Sequence, residues 1–142
     1  MNSLLALPDR IATSYREILL LLGRILIAAL FVPDAYGKMM NFNGFAASLA
    51  PKGLPFPTIW AILAVVALVV GSLGVLLGYR TRLAALLLIA FVIMANLTSH
   101  QFWVVPAQAG AFWKNMALVG GLLFVFVHSA GRLAVESRSR SN

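Results

Sequence analysis

Residues Thr58 to Leu77 form a run of twenty residues without a charged side chain. An α-helix rises about 1.5 Å per residue, so about twenty apolar residues suffice to cross the roughly 30 Å hydrocarbon core of a bilayer. Trp60 lies near the start of the run, where aromatic residues mark the interface between lipid and water. The run therefore predicts a transmembrane helix.

Three further apolar stretches predict three further spans. The four expected spans cover about residues 15–38, 58–78, 82–100 and 112–131. The chain is 61% hydrophobic and 11% charged, with a mean hydropathy of +0.93, whereas a soluble domain is about half apolar and a quarter charged. We expect one all-α domain over residues 1–142, an integral membrane four-helix bundle. Its Ser/Arg-rich tail at 132–142 is expected to be disordered.

Basic residues are distributed unevenly between the two ends of the predicted spans. One end carries seven arginines: Arg10, Arg16, Arg80, Arg82, Arg132, Arg138 and Arg140. The other end carries Lys38, Lys52 and Lys114. Because cytoplasmic loops are enriched in positive charge, we expect both termini in the cytoplasm and the protein in a bacterial inner membrane. This placement accounts for the net charge of +7, and we expect no binding to nucleic acid.

The first span contains three charged residues, Arg24, Asp34 and Lys38. An ionisable group in the hydrocarbon costs about 2.5 to 3.5 kcal/mol on insertion scales, so such groups usually face the bundle interior or water. We expect Arg24 to extend toward the cytoplasmic interface, with Glu17, a backbone carbonyl or a lipid phosphate as its partner. Because Arg24 interrupts the apolar run, we interpret the segment as a retained helix rather than a signal peptide.

Small and aromatic residues indicate how the spans pack and connect. Gly71, Gly74 and Gly78 give the second span a small-residue edge, which lets a neighbouring helix approach closely. Phe42, Phe45 and Leu49 recur at helical spacing between the first two spans. They predict a short helix in the membrane interface.

Polar and aromatic residues occur together at the predicted outer ends of spans one, three and four. They are Asp34, Lys38, Asn96, His100, Trp103, Trp113, Lys114 and Asn115, with Tyr36 nearby. One interpretation is a ligand-binding pocket for a polar head such as a quinone ring, with donors at its carbonyls and aromatics over its face. In the other interpretation, Lys and Trp occupy the interface and Asp34 simply pairs with Lys38.

The chemistry available to the chain is limited by its composition. There is no cysteine, which excludes disulfides, thiolate metal sites and cysteine nucleophiles. His100 and His128 lie at opposite ends of the predicted bundle, so they cannot share a metal ion. We expect no catalytic group and no metal site.

The order of short motifs along the chain is similar to that of a known family. The motifs are Gly37-Lys38, Phe42 with Gly44, Lys52-Gly53-Leu54-Pro55, the stretch from Leu76 to Ala84, His100-Gln101-Phe102-Trp103 and Phe112-Trp113-Lys114-Asn115. Together they resemble the DoxX family of small four-span bacterial inner-membrane proteins. The resemblance covers about Gly23 to Leu133.

The resemblance implies a four-helix membrane protein linked to redox metabolism. The family takes its name from a subunit of an archaeal thiosulfate:quinone oxidoreductase, and other members are associated with oxidative-stress or respiratory assemblies. Many members carry a Glu in the second span at the position of Leu68. The resemblance therefore gives no support here to a proton-handling or quinone-contacting role that needs this carboxylate.

The function expected from the resemblance is that of an accessory protein or subunit of a membrane redox or quinone-linked system, without a catalytic group of its own. The alternatives are a structural assembly partner, a small quinone-interacting oxidoreductase component, or a small-molecule transporter. The last two would use the pocket of Asp34, Lys38, His100 and Lys114. Quinone is the one cofactor implied. The expected partners are the lipid bilayer, other membrane or soluble redox proteins, and a second copy of the chain.

Overall fold

The computed structural model describes residues 6–135, which form six α-helices and two short 3-10 turns without any β-strand. The helices are α1 (Leu7–Ser14), α2 (Arg16–Met40), α3 (Phe42–Leu49), α4 (Pro57–Leu77), α5 (Thr81–Ser99) and α6 (Ala109–His128). The 3-10 turns are Ala50–Lys52 and Pro106–Gln108. Most of the expected tail, residues 136–142, lies outside the described part of the chain.

Four segments are long and apolar enough to cross a membrane: Arg16–Met40, Pro57–Leu77, Thr81–Ser99 and Pro106–His128. They contain 19 to 25 residues, which corresponds to about 28 to 38 Å of helix. The prediction of an all-α membrane protein with four spans is confirmed. Helix α6 begins and ends three residues before the span expected at 112–131.

The turn between α4 and α5 is very short because Gly78 ends α4 in the left-handed conformation, with φ 70°. The N–H of Tyr79 donates to the Gly74 carbonyl at 3.0 Å, which satisfies a carbonyl that the helix end would otherwise leave without a partner. Arg80 is also left-handed, with φ 46°, and Thr81 begins α5. The two spans are therefore antiparallel neighbours.

The spans pack in the order α2, α4, α5 and α6, each against the next. Their shared core contains Phe31, Leu68, Leu88, Val92 and Leu122. Helices α2 and α6 have few direct contacts with each other. Large apolar side chains on the outer surfaces of the spans are exposed, as is expected where lipid covers a membrane bundle.

Glycine allows the close approach of α4 and α5. A methyl group on Gly74 would lie 2.6 Å from the Cβ of Ala84, and one on Gly71 would lie 2.7 Å from Leu88 Cγ. Real Cβ atoms do not approach so closely, since interiors are already packed at crystal density. The predicted small-residue edge is confirmed at Gly71 and Gly74.

Helix α3 folds back over the start of α4 and is the short helix predicted from Phe42, Phe45 and Leu49. Ala46 and Leu49 pack with Ala61 of α4 in a second, smaller apolar cluster. We call this end of the bundle, where α3 covers α4, the cavity end. The opposite end, with the start of α2, the α4–α5 turn and the end of α6, is the arginine end.

Arg24 is directed toward the arginine end, the direction expected of it, but protein rather than lipid surrounds its side chain. Its side chain is 2% exposed, and its Nη2 donates to the carbonyl of Leu133, just beyond α6. A backbone carbonyl was one of the three expected partners. Room for the guanidinium exists because residue 78 is glycine, where a Cβ would lie 2.2 Å from Arg24 Nη1. Nε and Nη1 have no hydrogen-bond partner within residues 6–135.

Candidate functional site

A cavity of about 510 Å³ lies at the cavity end, between α2, α3, α4, α5 and α6. Its polar lining consists chiefly of Asp34, Lys38, Lys52, Ser99, His100 and Asn115. Its apolar lining includes Phe31 and Val92, which belong to the buried core. The cavity is therefore amphipathic, with the bundle core as its floor.

Asp34 and Lys38 form an ion pair on the wall that α2 contributes. They are one helical turn apart, so the same face of α2 presents both side chains. The Nζ atom of Lys38 also lies 5.2 Å from the centre of the Phe45 ring and 5.8 Å from that of Phe91. These distances are within the range of cation–π attraction, so Lys38 is held by one carboxylate and two aromatic rings.

Lys52 links the segment after α3 to α5. Its Nζ donates to the Ser99 hydroxyl at 2.6 Å, although 47 residues separate the two in the sequence. Sequence reasoning did not include Lys52, Ser99 or the cavity-lining Trp60 among the candidate site residues. The available signal was modest: Lys52 is a lone basic residue in a proline-rich connection, and Ser99 ends a polar stretch.

His100 follows the last residue of α5 and lines the same cavity. Its Nδ1 is 3.0 Å from Oε1 of Gln108 in the loop before α6. Because the amide oxygen accepts, Nδ1 carries the hydrogen in this assignment, and Nε2 of the neutral ring remains an acceptor. The ring is half-buried, so it remains partly accessible.

Asn96 and Asn115 connect α5 with α6. Asn96 is 1% exposed, donates through Nδ2 to the Phe112 carbonyl at 3.1 Å and accepts from Asn115 Nδ2 at 2.7 Å. Asn96 does not line the cavity, whereas Asn115 does. The two asparagines thus link α5 to α6 by hydrogen bonds, and Asn115 also forms part of the cavity wall.

Three other predicted site residues lie outside the cavity lining. Trp103 and Trp113 are 55% and 62% exposed, and Lys114 is also exposed. Both tryptophans contact Phe102 and Phe112 in an aromatic cluster around the α5–α6 loop. Exposed aromatic clusters of this kind suit a membrane interface.

The structure thus brings Asp34, Lys38, His100 and Asn115 together around one cavity. Residues 6–135 contain no group of three His, Asp or Glu side chains arranged to hold a metal ion. What the arrangement offers is one carboxylate, two ammonium groups, an imidazole and several aromatic rings beside an apolar floor. Such a set can bind the head of an amphipathic molecule through hydrogen bonds and ring contacts.

Comparison with known proteins gives the family. The DoxX family model matches residues 19–101, more than half of the chain and nearly all of the first three spans. The chain belongs to the DoxX family. The resemblance drawn from the short motifs is confirmed.

The relatives of this DoxX protein include two from Escherichia coli (strain K12). Inner membrane protein YphA is 31% identical over 87% of this chain and 91% of its own length. Inner membrane protein YqjF is 26% identical over 82% of this chain and 88% of its own length. Together with the four spans, these matches identify a multi-pass protein of the bacterial inner membrane.

A more distant similarity reaches eukaryotic proteins. The ER-derived vesicles protein ERV29 of Saccharomyces cerevisiae is 25% identical over 86% of this chain, which spans only 34% of that protein. No solved structure matches the chain significantly.

Leu68, which the resemblance matches to a Glu of many family members, lies in the interior of the bundle. Its side chain is 0% exposed in the core of the bundle and does not line the cavity. An ionised carboxylate at this point would lack a partner and would be costly to bury. The apolar residue fits the apolar core that surrounds it.

Proposed function

We propose that this DoxX protein is a non-catalytic component of a quinone-linked redox system in the inner membrane, and that its cavity holds the head of one quinone molecule. The observation that carries the proposal is the cavity itself. Its volume of about 510 Å³ is within the roughly 300 to 1,000 Å³ of small-molecule sites. Its lining combines hydrogen-bonding groups with aromatic rings. The resemblance to the DoxX family implies quinone as the ligand.

The polar wall has partners for both redox forms of a quinone. An ammonium group has three donors, so Lys38 and Lys52 keep donors for carbonyl oxygens after bonding Asp34 and Ser99. His100 Nε2 is an acceptor when Nδ1 donates to Gln108, and it suits a quinol hydroxyl. The wall can therefore form hydrogen bonds with both the quinone and the quinol.

The apolar lining accounts for the rest of such a ligand. Phe45, Phe91 and Trp60 offer ring surfaces for the quinone face. Leu30 and Leu118 line the cavity from α2 and α6, the two spans with few direct contacts. An isoprenoid tail would leave the cavity between these two helices and continue into the lipid.

The packing below the cavity supports binding rather than passage of a solute. Leu68, Val75, Leu88 and Leu122 are each 0% exposed and belong to the core between the cavity and the arginine end. A transporter would require a path through this core. In the arrangement of the described helices, the cavity is a binding site closed off from the arginine end by the core.

The test compares quinone retention by the parent protein and a charge-neutral variant. Asp34→Asn alone leaves the Lys38 charge without its partner, at a cost of several kcal/mol, so the double variant Asp34→Asn/Lys38→Gln is used. We expect it to fold like the parent but to bind a short-chain quinone at least about tenfold more weakly, since a hydrogen bond to a charged group contributes about 1.5–3 kcal/mol. Native mass spectrometry in mild detergent and titration of the stripped protein measure this.

Trp113→Ala is the matched control, because Trp113 is exposed and lies outside the cavity lining. It should retain quinone as the parent does, whereas His100→Ala should lose it. Equal binding by a well-folded double variant and the parent would contradict the proposed site, and so would a parent that binds no added quinone. Recovery of a redox enzyme after gentle solubilisation tests the accessory role, and its absence would contradict that role.

A further inference from the structure

Helix α1 (Leu7–Ser14) is an element that hydropathy alone did not predict, and none of its residues is buried. Its principal contacts are with α2, to which it is joined. Leu7 and Ile11 are 52% and 46% exposed and lie about 40° apart around the helix axis, whereas Thr13 lies about 160° from Ile11. The helix therefore has one apolar face that the described protein does not cover.

This apolar face continues into the lipid-facing surface of α2. Tyr15, Ile18 and Leu22 are 55%, 58% and 49% exposed. The backbone departs from α-helical geometry at Tyr15, with φ −106° and ψ 15°, so α1 is a separate element rather than the first turns of the span. The candidate membrane span Arg16–Met40 begins directly after Tyr15, so α1 adjoins the point at which the chain would enter the bilayer.

The arginine end, at which α1 lies, carries excess positive charge. Apart from the buried Arg24, it has five arginines and two acids within residues 6–135, a net charge of +3: Arg10, Arg16, Arg80, Arg82, Arg132, Asp9 and Glu17. Arg10, Arg80 and Arg82 form no ion pair with any described residue. A basic residue near an anionic membrane surface strengthens binding by about fivefold at moderate ionic strength.

We propose that α1 lies along the membrane surface, with Leu7 and Ile11 inserted between the headgroups and Arg10 contacting anionic phospholipid. The apolar face supplies the insertion and the charge supplies the lipid preference, which are the two contributions to interfacial helix binding. Anionic phospholipid is the occupant that the charge and the continuity with the lipid-facing surface favour. Docked in this way, α1 sets the depth at which α2 enters the bilayer.

The experiment uses the whole chain, which has no cysteine, in nanodiscs of phosphatidylcholine with or without phosphatidylglycerol. Single cysteines replace Ile11 on the apolar face, Thr13 on the opposite face and Leu22 on the lipid-facing surface of α2. Each is labelled with an environment-sensitive fluorophore. All three positions are exposed in the structure, so the substitutions should leave the fold intact. Aqueous iodide and lipid-attached quenchers then report what each label contacts.

In anionic nanodiscs we expect the Ile11 label to be quenched by the lipid-attached quencher and protected from iodide, with the reverse at Thr13. The Leu22 label should meet the lipid quencher in both compositions, as the control. Adding Arg10→Gln should lower the ratio of docked to undocked α1, as the Ile11 label reports it, about fivefold in anionic nanodiscs. In zwitterionic nanodiscs the ratio should change little. High salt should reduce the effect of Arg10→Gln in anionic nanodiscs, because it screens the attraction between Arg10 and the lipid.

Three results would overturn the proposal. The first is equal access of iodide to the Ile11 and Thr13 labels in anionic nanodiscs. The second is protection at Ile11 without lipid quenching, which would place a second copy or another protein on this face. The third is equal protection in both lipid compositions with no effect of Arg10→Gln, which would remove the anionic selectivity.

Discussion

Gly78 is the residue on which the packing of the arginine end depends most directly. It ends α4 with φ 70°, a conformation that costs residues other than glycine about 1–2 kcal/mol. Its missing side chain also leaves room for Arg24 Nη1 and for the Cβ of Ala134, which a methyl group would approach to 2.2 and 2.5 Å. Backbone conformation and tertiary packing therefore require the same residue at this position.

Gly78→Ala should lower the stability of the protein by about 1–3 kcal/mol, because strain and overpacking act together. Thermal unfolding in one detergent measures the loss as a lower midpoint. Gly120→Ala is the matched control, since no atom lies within 4 Å of the position of a Cβ on Gly120. Its midpoint should stay the same or rise. An unchanged midpoint for Gly78→Ala would show that Arg24 and the segment after α6 move aside freely.

At the scale of elements, the distance between α4 and α5 is set by a glycine on one helix facing an alanine on the other. The Cβ of Ala84 occupies the space that a methyl group on Gly74 would need, at a separation of 2.6 Å. In a membrane no hydrophobic driving force acts between helices, so close contact of this kind contributes much of the association. The α4–α5 pair is therefore sensitive to small changes in volume.

A methyl exchange between the two helices tests this contact. Gly74→Ala should lower the unfolding midpoint, at a cost of about 1–3 kcal/mol, because two methyl groups then compete for one space. The double variant Gly74→Ala/Ala84→Gly moves the methyl group from α5 to α4 and should recover much of the loss. If the double variant is less stable than Gly74→Ala, the contact does not limit the approach of the helices.

For the whole molecule, the two ends of the bundle differ in both charge and construction. The arginine end is closed by Arg24, by the segment after α6, whose Arg132 N–H donates to the Glu17 carboxylate, and by the α4–α5 turn. The cavity end is partly covered by α3 and contains a single carboxylate, Asp34, among lysines. Positive charge marks cytoplasmic loops, so we expect the cavity to face the outer leaflet.

Labelling of single cysteines in intact cells tests this orientation. Ser48→Cys lies at the cavity end and Tyr79→Cys in the α4–α5 turn, and both positions are exposed. A membrane-impermeant maleimide should label Ser48→Cys in intact cells and Tyr79→Cys only after permeabilisation. The chain has no native thiol to obscure the result. Labelling of Tyr79→Cys in intact cells would reverse the orientation and place the cavity on the cytoplasmic side.

The sequence by itself determined the number of spans, the short helix between the first two spans and the placement of Asp34 one turn before Lys38. These features depend on residues close together in the chain: twenty apolar residues make a span, and a separation of four residues places two side chains on one helix face. The glycine positions also predicted where helices approach closely. The lead helix α1 and the contact of Arg24 with the segment after α6 were not foreseen, because Tyr15 and Gly78 act through backbone geometry that hydropathy does not express.

Only the tertiary structure decided which polar residues surround the cavity. Lys52 meets Ser99 across 47 residues, and Arg24 meets the Leu133 carbonyl across 109. Helical periodicity gives the angle of a side chain around its own helix, but not how one helix is rotated against the next. That rotation follows from the packing of small and large residues along every contact of the bundle. For the same reason, Trp103 and Trp113 share an end of the molecule with His100 and yet lie outside its cavity.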